Sequence, residues 1–203
     1  MNLTETYIAG LKNAYGRYKD GVEQWNQFEG VKEGATDEDI DALVARFPDV
    51  PKELIELLKY ADGTYFREYQ GEEICLYFLG SDVEEYGYPY YLLSSKQMTE
   101  STEATDYYAD YVDRAYEEDE VYMDERIIDD SEKMNWLHFS DCMNNGGSSQ
   151  LFIDYSPSDK GTKGQIVRFL LDPDEIVVIA DSFAEYLQML IEHNYAFINQ
   201  DTI

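Results

Sequence analysis

Apolar residues recur every three or four positions at both ends of the chain and cluster into short β-type runs between them. Ile8, Leu11, Tyr15, Tyr18, Val22 and Trp25 fall on one helical face. A second helix opens at Thr36, with Asp39 three residues on as a variant of the capping box. It carries Ile40, Leu43, Val44 and Phe47, and stops at Pro48. A third has Pro51 near its first turn, presents Leu54, Leu57, Leu58 and Ala61, and ends at Gly63, which can take the left-handed conformation that closes a helix. The texture then changes to runs at 73–79, 89–94, 136–140, 150–155, 165–171 and 175–180. Asn144-Asn145-Gly146-Gly147, Ser158-Asp159-Lys160-Gly161 and Asp172-Pro173-Asp174 separate the later runs with turn chemistry suited to antiparallel pairing. A last helix begins at Ser182, with Glu185 completing a capping box, and presents Phe183, Leu187, Leu190 and Ile191. Helices, then strands, then one helix predict an α+β fold: a mostly antiparallel sheet of about six strands flanked by helices.

Residues 100–130 interrupt the strands with thirteen carboxylates against Arg114 and Arg126. Glu103, Asp106, Asp110, Asp113, Glu117 and Glu120 recur at helical spacing, while Ala104, Tyr108, Tyr111 and Ala115 recur on the opposite side. The pattern predicts a helix that docks by its Tyr and Ala face and shows carboxylates to solvent.

Charge narrows the function classes. Asp and Glu number 43 against 15 Lys and Arg, a formal net charge of -28. Such a field repels nucleic acid and anionic membrane, and few cations are available to neutralise phosphates; basic proteins are the favoured partners. An apolar fraction of 44% with 15% aromatics suffices for one substantial core, so a single domain over 1–203 is expected. No basic and apolar leader opens the sequence and no apolar run reaches the ~18 residues of a membrane span, which points to the cytoplasm. Cys75 and Cys142 form neither a disulfide framework nor a metal spacing, and the sequence carries no phosphate loop, dinucleotide fingerprint or EF-hand spacing. The sequence calls for no metal and no cofactor. His138 and His193 have no Ser, Cys or Asp at a spacing that builds a triad or a zinc site.

Two stretches carry a family resemblance. Residues 47–63 hold a Pro-initiated helix that ends in Asp62-Gly63. Residues 134–190 run through Trp136-Leu137-His138-Phe139, then Asp154-Tyr155-Ser156-Pro157, then Gly161-Thr162-Lys163-Gly164-Gln165, then Ser182-Phe183-Ala184-Glu185-Tyr186-Leu187. That order resembles the SUKH superfamily, which holds yeast cell-wall-assembly regulators and bacterial toxin-immunity proteins. The resemblance implies an α+β sheet domain that acts by binding, with no catalytic motif to carry over. Residues 1–30 and about 96–131 depart from the shorter members, as a helical extension and an acidic insert.

The leading expectation is therefore a non-catalytic immunity protein for a basic toxin of nuclease or deaminase type. A cytosolic regulatory scaffold is the alternative, and an enzyme using paired carboxylates the third reading. The partner face is placed on Glu103, Asp106, Asp110, Asp113 and Glu117 and on the tyrosine cluster Tyr86, Tyr88, Tyr90 and Tyr91, which serves either core or interface. Trp136 and Asp154 are read as candidate pocket groups, with turn-capping as the plainer role for Asp154. The sequence leaves the oligomeric state open.

Overall fold

The computed structural model describes residues 2–101, 108–114, 121–143 and 148–203. Four helices lead: α1 (Leu3–Tyr15), α2 (Lys19–Val31), α3 (Asp37–Arg46) and α4 (Lys52–Tyr60). Asn2 starts α1 with a full capping box to Glu5, and Thr36 caps α3 through the Asp39 amide. The single helix expected over Ile8–Trp25 is two helices, broken at 16–18, where Tyr18 adopts an extended conformation. The break lets Tyr15 and Trp25 meet with ring centroids 5.5 Å apart, although ten residues of one helix would separate them by about 15 Å. Val22 is left 41% exposed, off the buried face. Arg17 pins the break by donating to the backbone and side-chain oxygens of Asn194.

Gly63 does not close α4 as the sequence suggests. The helix ends at Tyr60 with an extended Ala61, and Gly63 lies further on at φ +92°. A Cβ there would sit 2.7 Å from the Ser94 nitrogen, so close approach to the next helix is what requires glycine. That helix, α5 (Ser95–Glu100), is tied back by Asp62, whose carboxylate accepts from the Ser95 backbone N–H and hydroxyl at 2.8 and 2.7 Å and from Arg67 at 2.9 Å. The Asp-Gly step thus locks α5 to the end of α4.

The strands are β1 (Arg67–Tyr69), β2 (Glu72–Ile74), β3 (Leu79–Gly80), β4 (Pro89–Leu92), β5 (Tyr122–Met123), β6 (Trp136–Cys142), β7 (Ser149–Asp154), β8 (Gln165–Leu170) and β9 (Glu175–Ala180). β1 and β2 form a separate hairpin, and the others build one seven-stranded sheet in the order β3-β4-β6-β7-β8-β9-β5. Its pairings are antiparallel except for β5 on β9. The fold is α+β.

The run at 73–79 is not one strand: its ends belong to different sheets and 75–78 is irregular. Tyrosines satisfy its backbone. Tyr15, Tyr7 and Tyr186 donate their hydroxyls to the carbonyls of Tyr77, Phe78 and Gly80 at 2.7, 2.6 and 2.6 Å. In this way α1 and the last helix, α7 (Phe183–Glu192), hold the sheet edge that β3 begins.

Side chains alternate across the sheet. Leu137, Phe139, Leu151, Ile153 and Ile166 face a core shared with α1, α2, α4 and α7. In α7 Tyr186 joins Phe183, Leu187 and Leu190 inside, and Ile191 is only half-buried. Ser182 caps it by accepting from the Glu185 N–H, one half of the expected capping box. Beyond α7, Tyr195, Phe197 and Ile198 are buried as well. Trp136, Phe152, Val167, Phe169, Ile176 and Val178 point to the other face. There the helical residues 108–114, α6, cover them with Tyr108, Tyr111 and Val112. The expected docking face is seen within α6; Ala104, Ala115 and the turn at 144–147 lie outside the described residues.

Candidate protein-binding surface

On α6, Asp110 and Asp113 are exposed while Tyr108 and Tyr111 pack edge-on against Phe169 at 4.7 and 4.8 Å. Arg114 lies over the Tyr111 ring, 4.1 Å from its centre, and within 3.9 Å of the Asp174 carboxylate. The remaining acids assigned to the stripe, Glu103, Asp106, Glu117 and Glu120, lie outside the described residues.

The tyrosine cluster is mostly internal. Tyr86 is half-buried and stacks on His193, which caps the end of α7, with ring centres 3.4 Å apart. Tyr88, Tyr90 and Tyr91 are buried. The Tyr90 hydroxyl accepts from Ser81 at 3.1 Å and donates to Ser149 at 2.6 Å, and the Ser149 hydroxyl in turn donates to the Phe169 carbonyl. Burial pushes the Tyr90 phenol well up, despite the opposing hydrogen bonds from Ser149 and Ser81.

Trp136 and Asp154 face each other across β6 and β7. Asp154 is fully buried and accepts from the Ser156 N–H at 2.8 Å, the Ser156 hydroxyl at 3.2 Å and Gln165 Nε2 at 2.9 Å. Burial raises its pKa, outweighing these donors and the field of the Trp136 indole N–H, which itself makes no hydrogen bond of ordinary geometry. Gln165 is fixed on both sides: its Oε1 accepts from Thr162 N–H at 3.0 Å and its Nε2 also donates to the Arg126 carbonyl at 3.1 Å. Gly161 makes room for that carbonyl, since a Cβ there would stand 2.4 Å from it. Arg126 in turn grips Asp124 through Nε and Nη2. Burial works to raise the Asp124 pKa, but the Arg126 hydrogen bonds prevail and hold it below its ordinary value. The Asp-x-x-Pro strand end and the Gly-x-x-Gly-Gln hairpin are one turn-locking device.

Beneath α6 lies a polar chain that residue spacing did not reveal. His138 Nε2 is 2.9 Å from Asp141 Oδ1 and 3.2 Å from the Ser140 carbonyl, and His138 Nδ1 is 3.5 Å from the Ser101 hydroxyl. Gln150 donates to the same Asp141 oxygen and accepts from the Tyr108 hydroxyl. Ser, His and Asp are thus in line, but the imidazole is buried, lies 5.0 Å from the Phe152 ring and spends one nitrogen on two acceptors. With Asp141 shared by Gln150, which also meets Tyr108, the polar chain ties α6 to the sheet. The signal was the β-bulge between His138 and Ser140, which turns Asp141 back to the face of His138 and has no sequence signature.

A second ionic node joins Arg168 to Asp82 at 2.6 and 3.2 Å and to Glu175 at 2.6 Å. Burial opposes the charge on Arg168, yet the two carboxylates raise its pKa. Next to the polar chain, Tyr91 opposes Asp141 across β4 and β6 and carries an aromatic patch. Tyr65 and Tyr77 lie 5.2 and 4.9 Å from Tyr91, and Phe66 lies 5.2 Å from Tyr65.

A model of the SMI1 / KNR4 family (SUKH-1) matches residues 34–189. The chain belongs to this family. No curated protein matches the chain closely enough to name as a relative. The SUKH superfamily includes toxin-immunity proteins, and its domains are generally non-catalytic modules that bind partner proteins. The matched span contains the α4–α5 lock, the Asp154–Gln165 node and most of α7. Helices α1 and α2 precede that span, yet they pack into the same core. Among the described residues no helix is long and apolar enough to cross a membrane, and no group of His, Cys, Asp and Glu could hold a metal ion.

Proposed function

We propose that the chain is an immunity protein that neutralises a basic, nuclease- or deaminase-type toxin by covering its substrate groove. The carrying observation is the union of SUKH-1 membership with a net charge of -28. Exposed Asp110 and Asp113 stand on a helix that is fixed from beneath by Tyr108, Tyr111 and the Gln150 contact. Carboxylates held in place in this way suit the cationic groove that a nuclease uses for phosphates, and opposite charges speed association at low salt. The proposed contact face is the stripe Glu103, Asp106, Asp110, Asp113 and Glu117. Tyr86, the least buried of the 86–91 cluster, is a candidate flank.

The test first reads the genes beside this one and then titrates the purified chain against the toxin-type domain found there; neighbours that encode no such domain would count against the reading. Toxin activity should fall linearly to zero at one equivalent. Full toxin activity at a several-fold excess of the chain would reject the reading and favour a regulatory scaffold.

A further inference from the structure

Phe66 is the most exposed phenylalanine among the described residues, at 51%, and its backbone is left-handed, with φ +45°. A bulky residue in that conformation is strained, and Gly or Asn would largely avoid the strain. Its ring rests on Tyr65 and Tyr91, at 5.2 and 6.3 Å, so it has a defined position without being enclosed.

Two residues further along, Glu68 opens onto solvent directly across from Glu73 in the β1–β2 pairing, and both are exposed. Like charges at opposed strand positions repel, and neither carboxylate is in an ion pair among the described residues. Asp141, behind Tyr65, adds to the negative field and helps burial push the Tyr65 phenol up to about 12. A strained, half-exposed ring is thus followed two residues later by an opposed pair of exposed carboxylates, and both the strain and the repulsion work against the fold.

We infer that Phe66, backed by Tyr65 and Tyr91 and followed in the chain by the opposed Glu68 and Glu73, is a docking point for an arginine side chain on a basic protein segment. The inference rests on the reading of the chain as a binder of basic proteins and adds a contact outside α6 itself. A guanidinium is planar and weakly hydrated, so it stacks on the ring while its edge donates to carboxylates. A lysine ammonium offers a compact charge without the stacking plane. The net charge of -28 supplies the long-range attraction, and the patch supplies the short-range choice.

The experiment titrates the isotope-labelled full chain at low salt with the peptide acetyl-Gly-Arg-Gly-Arg-Gly-amide and with its lysine counterpart, read by NMR. The arginine peptide should move the ring resonances of Phe66, Tyr65 and Tyr91 in a saturable way. Phe66→Asn keeps a residue suited to left-handed backbone, so its melting temperature should equal or exceed the parent's, while arginine-peptide affinity falls about two- to five-fold. The lysine peptide should be affected less. Equal arginine-peptide affinity in Phe66→Asn, or shifts confined to α6, would overturn the docking point while leaving a basic partner in place. A melting temperature several degrees lower would make Phe66 a packing residue and overturn it too. No response to either peptide would also end the proposal, and the toxin titration would still judge the function separately.

Discussion

Tyr7, Tyr15 and Tyr186 each send a hydroxyl to a carbonyl between Tyr77 and Gly80, a stretch with few strand partners of its own. Burial drives the Tyr7 and Tyr186 phenols far above their ordinary range, so at any working pH they remain neutral donors. Tyr7→Phe keeps the ring but strands the Phe78 carbonyl in the core, and should lower stability by about 1–3 kcal/mol in urea melts. An unchanged midpoint would mean that this carbonyl finds another donor. Asp154 offers a sharper test because Gln165 cannot turn round to suit it. In Asp154→Asn the new amide would face the Gln165 amide, donor against donor, again a loss of about 1–3 kcal/mol. The pH dependence has a definite sign. A carboxyl whose folded pKa is raised contributes stability that is present below its unfolded value of about 3.9 and lost as pH rises through the folded value. The parent's stability advantage over Asp154→Asn should therefore shrink between pH 4 and neutrality. An advantage that grows over that range would show Asp154 to be favoured as the anion.

Among the elements, those with a long apolar period were legible in the sequence: α3, α4, α7 and the strands β6 to β9 fall where periodicity and turn residues put them. The acidic helix was legible as well over 108–114, because Tyr108 and Tyr111 oppose Asp110 and Asp113. What escaped was set by contact rather than by pattern. The α1–α2 break depends on Tyr15 meeting Trp25, and β5 is two residues held by its parallel pairing with β9. The β1–β2 hairpin was missed because its turn, Gln70-Gly71, lacks the Asn or Asp that usually marks two residues at positive φ, +54° and +84°. Gln70→Asn should accordingly raise stability by a few tenths to ~1 kcal/mol, less the Gln70 contact to the Val31 carbonyl. A clear loss would show that this contact matters more than the turn. For the candidate site, the acids and Tyr86 could be named from sequence, whereas the His138–Asp141 chain and the Phe66 patch needed the bulge and the hairpin. On α6, changing Asp110 and Asp113 to Asn removes charges that repel their neighbours and do not pack. Stability should hold or rise slightly while binding of the proposed basic partner weakens and its salt dependence flattens. Unaltered binding at both low and high salt would reduce the stripe to a solvated face.

At the scale of the whole molecule, α7 and the tail behind it bind α1, the sheet and the 77–80 segment into one core through Phe183, Tyr186, Leu187, Leu190, Tyr195 and Phe197. A chain ending at Asp181 loses all of these and should not unfold cooperatively, since the loss exceeds the typical margin of about 5–15 kcal/mol. A soluble truncated chain with a sharp melt would contradict that packing. The same molecule combines a SUKH-1 fold with a net charge of -28, and the proposed use of that charge is to seize a basic toxin. The dissociation constant of the chain for the toxin-type domain proposed as its partner, taken at two salt concentrations on either side of physiological, tests that use most directly. The expected result is a tight one-to-one complex that weakens at least ten-fold between about 50 and 300 mM salt, mainly through slower association. A complex of equal affinity at both, or none at either, would contradict it.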